Sequence, residues 1–162
     1  MPGTRKGSSN DCLPLRAVCL DVAIEKVSPD AKLPSLSHHG DAGYDLYANE
    51  TLEVLPGNIA LVATGLKLAV PVGFECQVRP KSGLALNHGV TLLNSPGTID
   101  AGYRGEVKVI LINLGKNPFL VEKGKKIAQL VFNKIESADF KIVERLDETR
   151  RGDGGFGSTG LV

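Results

Sequence analysis

Apolar and polar residues alternate in short runs along most of the chain, and this period of two is typical of β-strands. In the first run, residues 18–24, the alternate positions Val18, Leu20, Val22 and Ile24 share one face. Further strands are predicted at residues 41–48, 51–55, 59–63, 66–70, 74–78, 90–93, 107–113, 119–121, 126–132 and 140–143.

Helical character is confined to residues 82–87, a short stretch that ends before Gly89. Turns at Pro56-Gly57, at Gly65 and at residues 71–73 divide the predicted strands. Many short strands with glycine and proline turns and one short helix predict an all-β fold, a jelly-roll-like barrel.

The ends of the chain differ in composition from its middle. Residues 1–16 are expected to form a disordered tail, and residues 17–150 to form the β-barrel domain. Residues 151–162 are rich in glycine and cannot hold regular structure by themselves, so they form either a dispensable tail or an arm that orders on a ligand.

Composition excludes several classes of protein. The net charge of +1 provides no basic field for a nucleic-acid polymer, and no apolar run approaches the ~20 residues that span a membrane. Cys12, Cys19 and Cys76 have no CxxC or Cys/His ligand spacing, which predicts reduced thiols and no zinc site. We therefore expect a soluble intracellular protein, cytoplasmic or, in a eukaryote, nuclear.

Residues 92–106 combine turn-forming glycines with a carboxylate and an aromatic ring. Residues 98–104 are predicted to form the tip of a β-hairpin, which exposes backbone groups beside Asp100 and Tyr103. Such groups can recognise a base and a sugar, which favours a nucleotide pocket. The alternative is a tight turn with an Asx bond from Asp100 and a packed tyrosine.

Several other segments offer groups that suit phosphate or its counter-ion. Lys81 and Ser82 lie where a strand meets the helix, although Ser82 could simply be an N-cap. Gln129 interrupts an apolar run, either as a phosphate donor or as a core residue with a partner. Asp45 is either solvent-facing or a ligand of Mg²⁺, which one carboxylate, phosphates and waters commonly hold.

The glycine-rich C-terminal segment has the composition of a phosphate-binding loop. Arg151 provides a fork of donors, and Ser158 and Thr159 provide hydroxyl groups. Phe156 could stack on a base, whereas a flexible tail has no use for an exposed ring. Together the segments point to a nucleoside polyphosphate.

In order and spacing, five segments resemble the five motifs of the trimeric dUTP pyrophosphatases, or dUTPases. The match extends from about residue 18 to the C-terminus. One departure is Lys81, where many members carry arginine, which forms a bidentate contact that lysine lacks. The matching segments are residues 42–46, 80–85, 94–106, 124–130 and 151–160.

The resemblance implies a jelly-roll homotrimer whose shared active sites lie between subunits. It implies hydrolysis of dUTP to dUMP and pyrophosphate with Mg²⁺, which keeps uracil out of DNA and supplies dUMP for thymidylate synthesis. Asp100 matches the acid that activates the water attacking the α-phosphorus, and Asp45 matches the acid that holds Mg²⁺ through waters. No nucleic-acid polymer and no membrane is implied as a partner.

The resemblance also assigns the substrate contacts by matching positions. Uracil recognition falls to Asn94, to the backbone of Gly97, Thr98, Ile99 and Asp100, and to the backbone of Lys108. Tyr103 matches the ring under the deoxyribose, which leaves no room for a 2′-hydroxyl. Phosphate contacts match Lys81, Ser82, Gly83 and Gln129; Arg151, Gly157, Ser158 and Thr159 match the γ-phosphate clasp, and Phe156 the lid over the base.

Two other functions remain open from the sequence. dCTP deaminases resemble dUTPases in fold but lack a closing arm of this composition, so residues 151–160 weigh against them. A non-catalytic nucleotide-sensing protein could use the same fold, but the presence of both Asp45 and Asp100 favours an enzyme.

Overall fold

A computed structural model of the chain describes residues 19–156 and Ser158. In this part of the chain ten β-strands and one short α-helix occur. The elements are β1 (Ala23–Lys26), β2 (Tyr44–Tyr47), β3 (Leu52–Val54), β4 (Ile59–Ala69), β5 (Phe74–Pro80), α1 (Ser82–His88), β6 (Val90–Leu92), β7 (Gly97–Ile99), β8 (Glu106–Asn113), β9 (Phe119–Val121) and β10 (Lys126–Lys134).

The strands form two four-stranded antiparallel sheets and one small pair. The first sheet has the order β1-β4-β8-β6, the second has the order β2-β10-β5-β7, and β3 pairs with β9. The predicted all-β class with a single short helix is therefore confirmed.

Both sheets bury one face in a common core. In β8 the side chains of Val107, Val109 and Leu111 alternate inward, and they join Leu46 and Leu130 of the second sheet in one apolar cluster. Such alternation with a period of two is what the sequence pattern predicted.

The prediction of two strands separated by Gly65 is wrong, because the structure has a single strand there, β4. It is one continuous strand whose pairing with β8 shifts register between Ala63 and Lys67. Gly65 has a φ of 71°, so the residue that suggested a turn instead forms an irregularity within the strand. At this irregularity the carboxylate of Glu50 accepts a hydrogen bond from the N–H of Ala63, and that of Glu106 accepts one from the N–H of Gly65.

Residues 97–106 do not form the predicted hairpin. β7 pairs with β5, whereas β8 pairs with β4 and β6. The inward side chains of Ile99 and Val107 are both buried in the core, so the intervening residues carry the chain from one sheet to the other. This crossing forms the site described below.

Two predicted strands at the ends of the chain also need correction. β1 begins at Ala23, later than predicted, and Val18 and the expected tail at residues 1–16 lie outside the described residues. Residues 140–143 form no strand, since no neighbouring strand of the described chain pairs with them. Phe140 is 92% exposed there and Ile142 is fully exposed.

The helix α1 lies close to its predicted position and ends at Gly89, whose left-handed φ of 69° is typical of a helix C-terminus. Its N-cap is Lys81 and not Ser82, and no side chain caps it, so the interpretation of Ser82 as the N-cap is wrong.

Cysteine bonding differs from the sequence-based expectation at one position. Cys19 is disulfide-bonded, whereas Cys76 is a free, buried thiol. Burial and the nearby charge of Glu75 raise the pKa of Cys76 to about 12, so it is unreactive.

Among the helices of the described residues, none has the length and apolar character needed to cross a membrane.

Candidate active site

A cavity of about 150 Å³ opens where the chain crosses from β7 to β8. Its walls come from both sheets and from the crossing itself. It is lined by Val78, Leu92, Asn94, Gly97, Thr98, Ile99, Asp100, Tyr103, Glu106, Val107, Lys108 and Ile110. Seven of the predicted substrate-binding residues are therefore brought together in one place: Asn94, Gly97, Thr98, Ile99, Asp100, Tyr103 and Lys108.

Asp100 lies at the start of the crossing with an exposed side chain. Its backbone carbonyl accepts a hydrogen bond from the N–H of Tyr103 at 3.0 Å, which closes the turn. No hydrogen bond to its carboxylate occurs among residues 19–156, so the Asx bond considered as an alternative is absent there. Both carboxylate oxygens are therefore available to a water molecule.

The ring of Tyr103 is fixed against the crossing. Its hydroxyl donates to the carbonyl of Glu106 at 3.0 Å. The ring covers Gly105 so closely that a Cβ added there would lie 2.6 Å from the ring carbon Cζ. Arg104 donates to the carbonyls of Ala101 and Tyr103, each at 2.7 Å, which stabilises the turn from outside.

The other wall of the cavity offers mainly backbone. The side chain of Ile99 is buried in the core, so only its main chain can face a ligand. A Cβ on Gly97 would lie 3.0 Å from the side-chain nitrogen of Asn94 and 3.5 Å from Val78. Glycine thus leaves the strand backbone open to a ligand beside the amide of Asn94.

A second group of polar residues surrounds Asp45, which is buried at the outer side of β2. Its Oδ1 atom lies 2.8 Å from Lys81 Nζ, and its Oδ2 atom lies 2.6 Å from Lys126 Nζ. Ser37 Oγ also donates to Oδ2 at 2.8 Å. We call Asp45, Lys81, Lys126 and Ser37 the lysine–aspartate cluster.

The cluster keeps Asp45 ionised despite its burial. Burial by itself would raise the pKa of Asp45, but hydrogen bonds from Lys126, Lys81 and Ser37 and the charge of Lys81 outweigh it and lower the pKa to about 2. The hydrogen bond with Asp45 likewise raises the pKa of Lys126.

Gln129 belongs to the same region, because in the sheet it pairs with Asp45 on one side and Arg79 on the other. A Cβ on Gly43 would lie 3.0 Å from Gln129 Nε2, so the amide packs over that glycine. Ser82 and Gly83 begin α1 directly after Lys81, and nothing lies within 4 Å of a Cβ placed on Gly83. The predicted phosphate contacts of two segments and the predicted metal residue Asp45 are therefore neighbours, but none of them lines the cavity around Asp100.

The described residues of the C-terminal segment neither line the cavity nor form a hydrogen bond with the lysine–aspartate cluster. Arg151 donates from Nε to the carbonyl of Gly154 at 2.8 Å, and the ring of Phe156 is fully exposed. Ser158 is exposed as well. Gly157 and Thr159 lie outside the described residues.

The donor groups of the described residues do not form a resident Mg²⁺ site. No group of three or more His, Cys, Asp or Glu side chains that could hold a metal occurs in the described part of the chain. Asp45 already accepts three hydrogen bonds and its side chain is 1% exposed, so hydrated Mg²⁺ does not fit against it in this arrangement. An ion that arrives bound to a triphosphate needs fewer protein ligands.

The sequence-based prediction missed two residues of these sites. Glu106 lines the cavity, and its carboxylate accepts the N–H of Gly65 at 2.8 Å. Lys126 contacts Asp45, and the adjacent buried residues Ile127 and Ala128 interrupt the alternation of β10. Two consecutive apolar positions in a strand are a signal for a bulge, and that signal could have indicated where Lys126 points.

Known proteins resemble this chain along nearly its whole length. A family model described as dUTPase matches residues 29–160. Over 143 residues the chain is 53% identical to the deoxyuridine 5'-triphosphate nucleotidohydrolase of Clostridium kluyveri, covering 88% of this chain and 100% of that protein. The protein of the same name from Wolinella succinogenes is 52% identical over 141 residues, covering 87% and 95%.

A solved structure shows the same fold. The dUTPase of Staphylococcus bacteriophage 80alpha, a mutant solved with dUpNHpp, superimposes with a TM-score of 0.81 at 26% sequence identity. The match covers 87% of this chain and 99% of the bacteriophage protein.

Replacing Gly105 with alanine should displace the Tyr103 ring, because the new Cβ would overlap it. The ring is expected to exclude a 2′-hydroxyl, so its displacement should lower the preference for dUMP over UMP, measured as the ratio of the two dissociation constants. We expect this ratio to fall about tenfold, which corresponds to a change of ~1.4 kcal/mol in relative binding free energy. Gly102→Ala in the same turn is the control, because nothing lies within 4 Å of its Cβ. Equal ratios in the two variants would contradict the assignment of Tyr103 as a wall of the site.

Proposed function

The chain belongs to the dUTPase family and hydrolyses dUTP to dUMP, and we propose that the reaction takes place at the cavity around Asp100. The family assignment favours this reaction over the deamination of dCTP and over a purely nucleotide-sensing role. The activity keeps uracil out of DNA and supplies dUMP for thymidylate synthesis. We also propose an intracellular, cytoplasmic location, because such a role requires it.

The observation that carries the proposal is the exposed carboxylate of Asp100 at a cavity built mainly of backbone and one aromatic ring. We propose that Asp100 accepts a proton from a water molecule, whose oxygen then bonds to the α-phosphorus. The bond from the α-phosphorus to the bridging oxygen breaks, and that oxygen leaves as part of pyrophosphate.

Recognition of the nucleoside follows from the two walls of the cavity. Backbone groups of residues 97–100 and of Lys108, with the amide of Asn94, would pair with uracil. A cytosine would mismatch donors with acceptors, and unpaired buried polar groups discriminate more strongly than one methyl group does. The ring of Tyr103, held by the Glu106 carbonyl, would exclude a 2′-hydroxyl.

The triphosphate would be bound by groups outside this cavity. We assign phosphate contacts to Lys81, Ser82, Gly83 and Gln129, which are neighbours in the structure. The C-terminal arm, residues 151–162, would close over the nucleotide. Arg151, Gly157, Ser158 and Thr159 would hold the γ-phosphate, and Phe156 would cover the base.

Mg²⁺ is proposed as part of the substrate, bound to the phosphates of dUTP. It supplies positive charge that neutralises the polyanion. A mutant dUTPase from phage phi11 of S. aureus, which shares the fold, coordinates a structural Mg(II) ion. Contact between Asp45 and Mg²⁺ through waters stays a prediction, and it would require a lysine of the lysine–aspartate cluster to move away.

We further propose a homotrimer in which several chains complete each site. Neither the lysine–aspartate cluster nor any described residue of the C-terminal arm lines the Asp100 cavity of its own chain. In addition, residues 135–146 form no helix or strand and expose Phe140, Ile142 and Leu146. The alternation at residues 140–143 predicts a strand, and a neighbouring chain could supply the pairing partner that the described part of this chain lacks.

Changing Asp100 to asparagine tests the proposed base. An amide keeps the shape of the carboxylate but cannot accept the water's proton, so pyrophosphate release should fall by about 10²–10⁴-fold. Binding of the analogue dUpNHpp, measured by calorimetry, should stay near the wild-type value. Asp21→Asn, at another exposed aspartate, should leave both measurements unchanged. Near-normal turnover in Asp100→Asn would rule out this role.

Mixing two inactive chains tests the shared site. A chain ending at Arg150 should fold, because the deleted residues that are described contribute no buried side chain, but it should lose activity with its arm. Mixed trimers of this chain with Asp100→Asn would contain sites that combine an intact Asp100 with an intact arm from another subunit. We expect pyrophosphate release to reappear. Mixed trimers that form and stay inactive would show that each arm serves its own subunit.

A further inference from the structure

Lys126 is directed to the outer face of its sheet by an irregularity in β10. The register between β10 and β2 shifts between Lys126 and Ala128, and both Ile127 and Ala128 are buried. Two consecutive inward side chains leave Lys126 and Gln129 both outside the core. Without this bulge, strict alternation would turn Lys126 toward the opposite face from Gln129.

On that face, Asp45 holds two ammonium groups close together. Lys81 binds one carboxylate oxygen, and Lys126 binds the other. Lys126 Nζ also donates to Ser37 Oγ at 3.0 Å. Two ammonium groups that bind the same carboxylate would repel each other if that carboxylate were absent. The buried aspartate therefore fixes the positions of the two lysines.

The charge of the lysine–aspartate cluster favours an anion. Two ammonium groups and one carboxylate leave a net charge of +1. Each ammonium has three donors, of which Lys81 uses one and Lys126 uses two within the described part of the chain. The side chains of Lys81 and Lys126 are 28% and 39% exposed, whereas that of Asp45 is 1% exposed. Solvent therefore meets the free ammonium donors and not the carboxylate.

We infer that Lys126 is a further phosphate-binding residue, which acts with Lys81 as a pair of ammonium groups positioned by the buried Asp45. This inference deepens the proposed function, because it concerns how the same enzyme binds its triphosphate. Asp45 is then a positioning residue that acts through the lysines. Lys126 compensates in part for the single ammonium at position 81, which cannot form a bidentate contact.

Replacing Lys126 with methionine tests the pair directly. Asp45 keeps Lys81 and Ser37 as partners in this variant, so the fold should survive. The dissociation constant of dUpNHpp, measured by calorimetry, should rise about tenfold, as expected for the loss of one charged hydrogen bond. That of dUMP should rise less, because fewer phosphates reach the pair. Lys126→Arg should restore affinity for dUpNHpp.

The adjacent lysine provides a matched control. Lys125 is 69% exposed and makes only a long contact of 3.8 Å with Glu122. Lys125→Met removes the same charge from the next position and should leave the affinity unchanged. If Lys126→Met and Lys125→Met bind dUpNHpp equally well, or if Lys126→Met weakens dUMP as much as dUpNHpp, the inference is wrong.

Asp45→Asn separates positioning of the lysines from binding of a metal. If Asp45 positions the lysines, the variant should weaken binding of dUpNHpp both with Mg²⁺ and in EDTA. A loss seen with Mg²⁺ but not in EDTA would assign Asp45 to the metal and overturn its positioning role. Thermal unfolding of Asp45→Asn and of Lys126→Met shows whether each variant folds. If Asp45→Asn does not fold, the binding measurements on Lys126→Met decide the role of Lys126.

Pyrophosphate release by the wild-type chain separates this inference from the proposed function. If the wild-type chain hydrolyses dUTP and Lys126→Met binds dUpNHpp normally, only the inference fails. If the wild-type chain releases no pyrophosphate from dUTP, the proposed function fails, and the inference that rests on it fails with it.

Discussion

The crossing from β7 to β8 is the constraint on which the site depends. Both strands bury inward side chains in the core that the two sheets share, yet they pair in different sheets. The connecting residues must therefore span the gap between the sheets, and the cavity opens beside them. Gly105 allows the Tyr103 ring to lie against this connection, which leaves Asp100 exposed at its entrance.

The proposed chemistry is divided between two groups of described residues that do not share one cavity in this chain. The Asp100 cavity offers a base and a surface for a nucleoside, whereas the lysine–aspartate cluster offers positive charge on the outer face of the second sheet, beside β2, β10 and the end of β5. The strand order places β7 at one edge of this sheet and β2 at the other. A nucleotide bound between subunits could use the cavity of one chain and the cluster of another, which accounts for the proposed assembly.

The alternation of the sequence predicted most of the strands, because burial of one face determines that pattern locally. It could not predict that β7 pairs with β5, since the partner of a strand is set by distant residues. It also indicated a strand at residues 140–143 that has no partner in the described part of this chain. Motif resemblance gathered seven residues that do line one cavity, but the contact of Lys126 with Asp45 depends on a bulge that no motif describes.

The central claim is that water activated by Asp100 attacks the α-phosphorus of dUTP, and isotope labelling tests it most directly. The enzyme would hydrolyse dUTP with Mg²⁺ in water enriched in ¹⁸O, and mass spectrometry would locate the label in the products. Attack at the α-phosphorus places ¹⁸O in dUMP and leaves the pyrophosphate unlabelled. Label in the pyrophosphate, with none in dUMP, would show attack at the β-phosphorus and contradict the account.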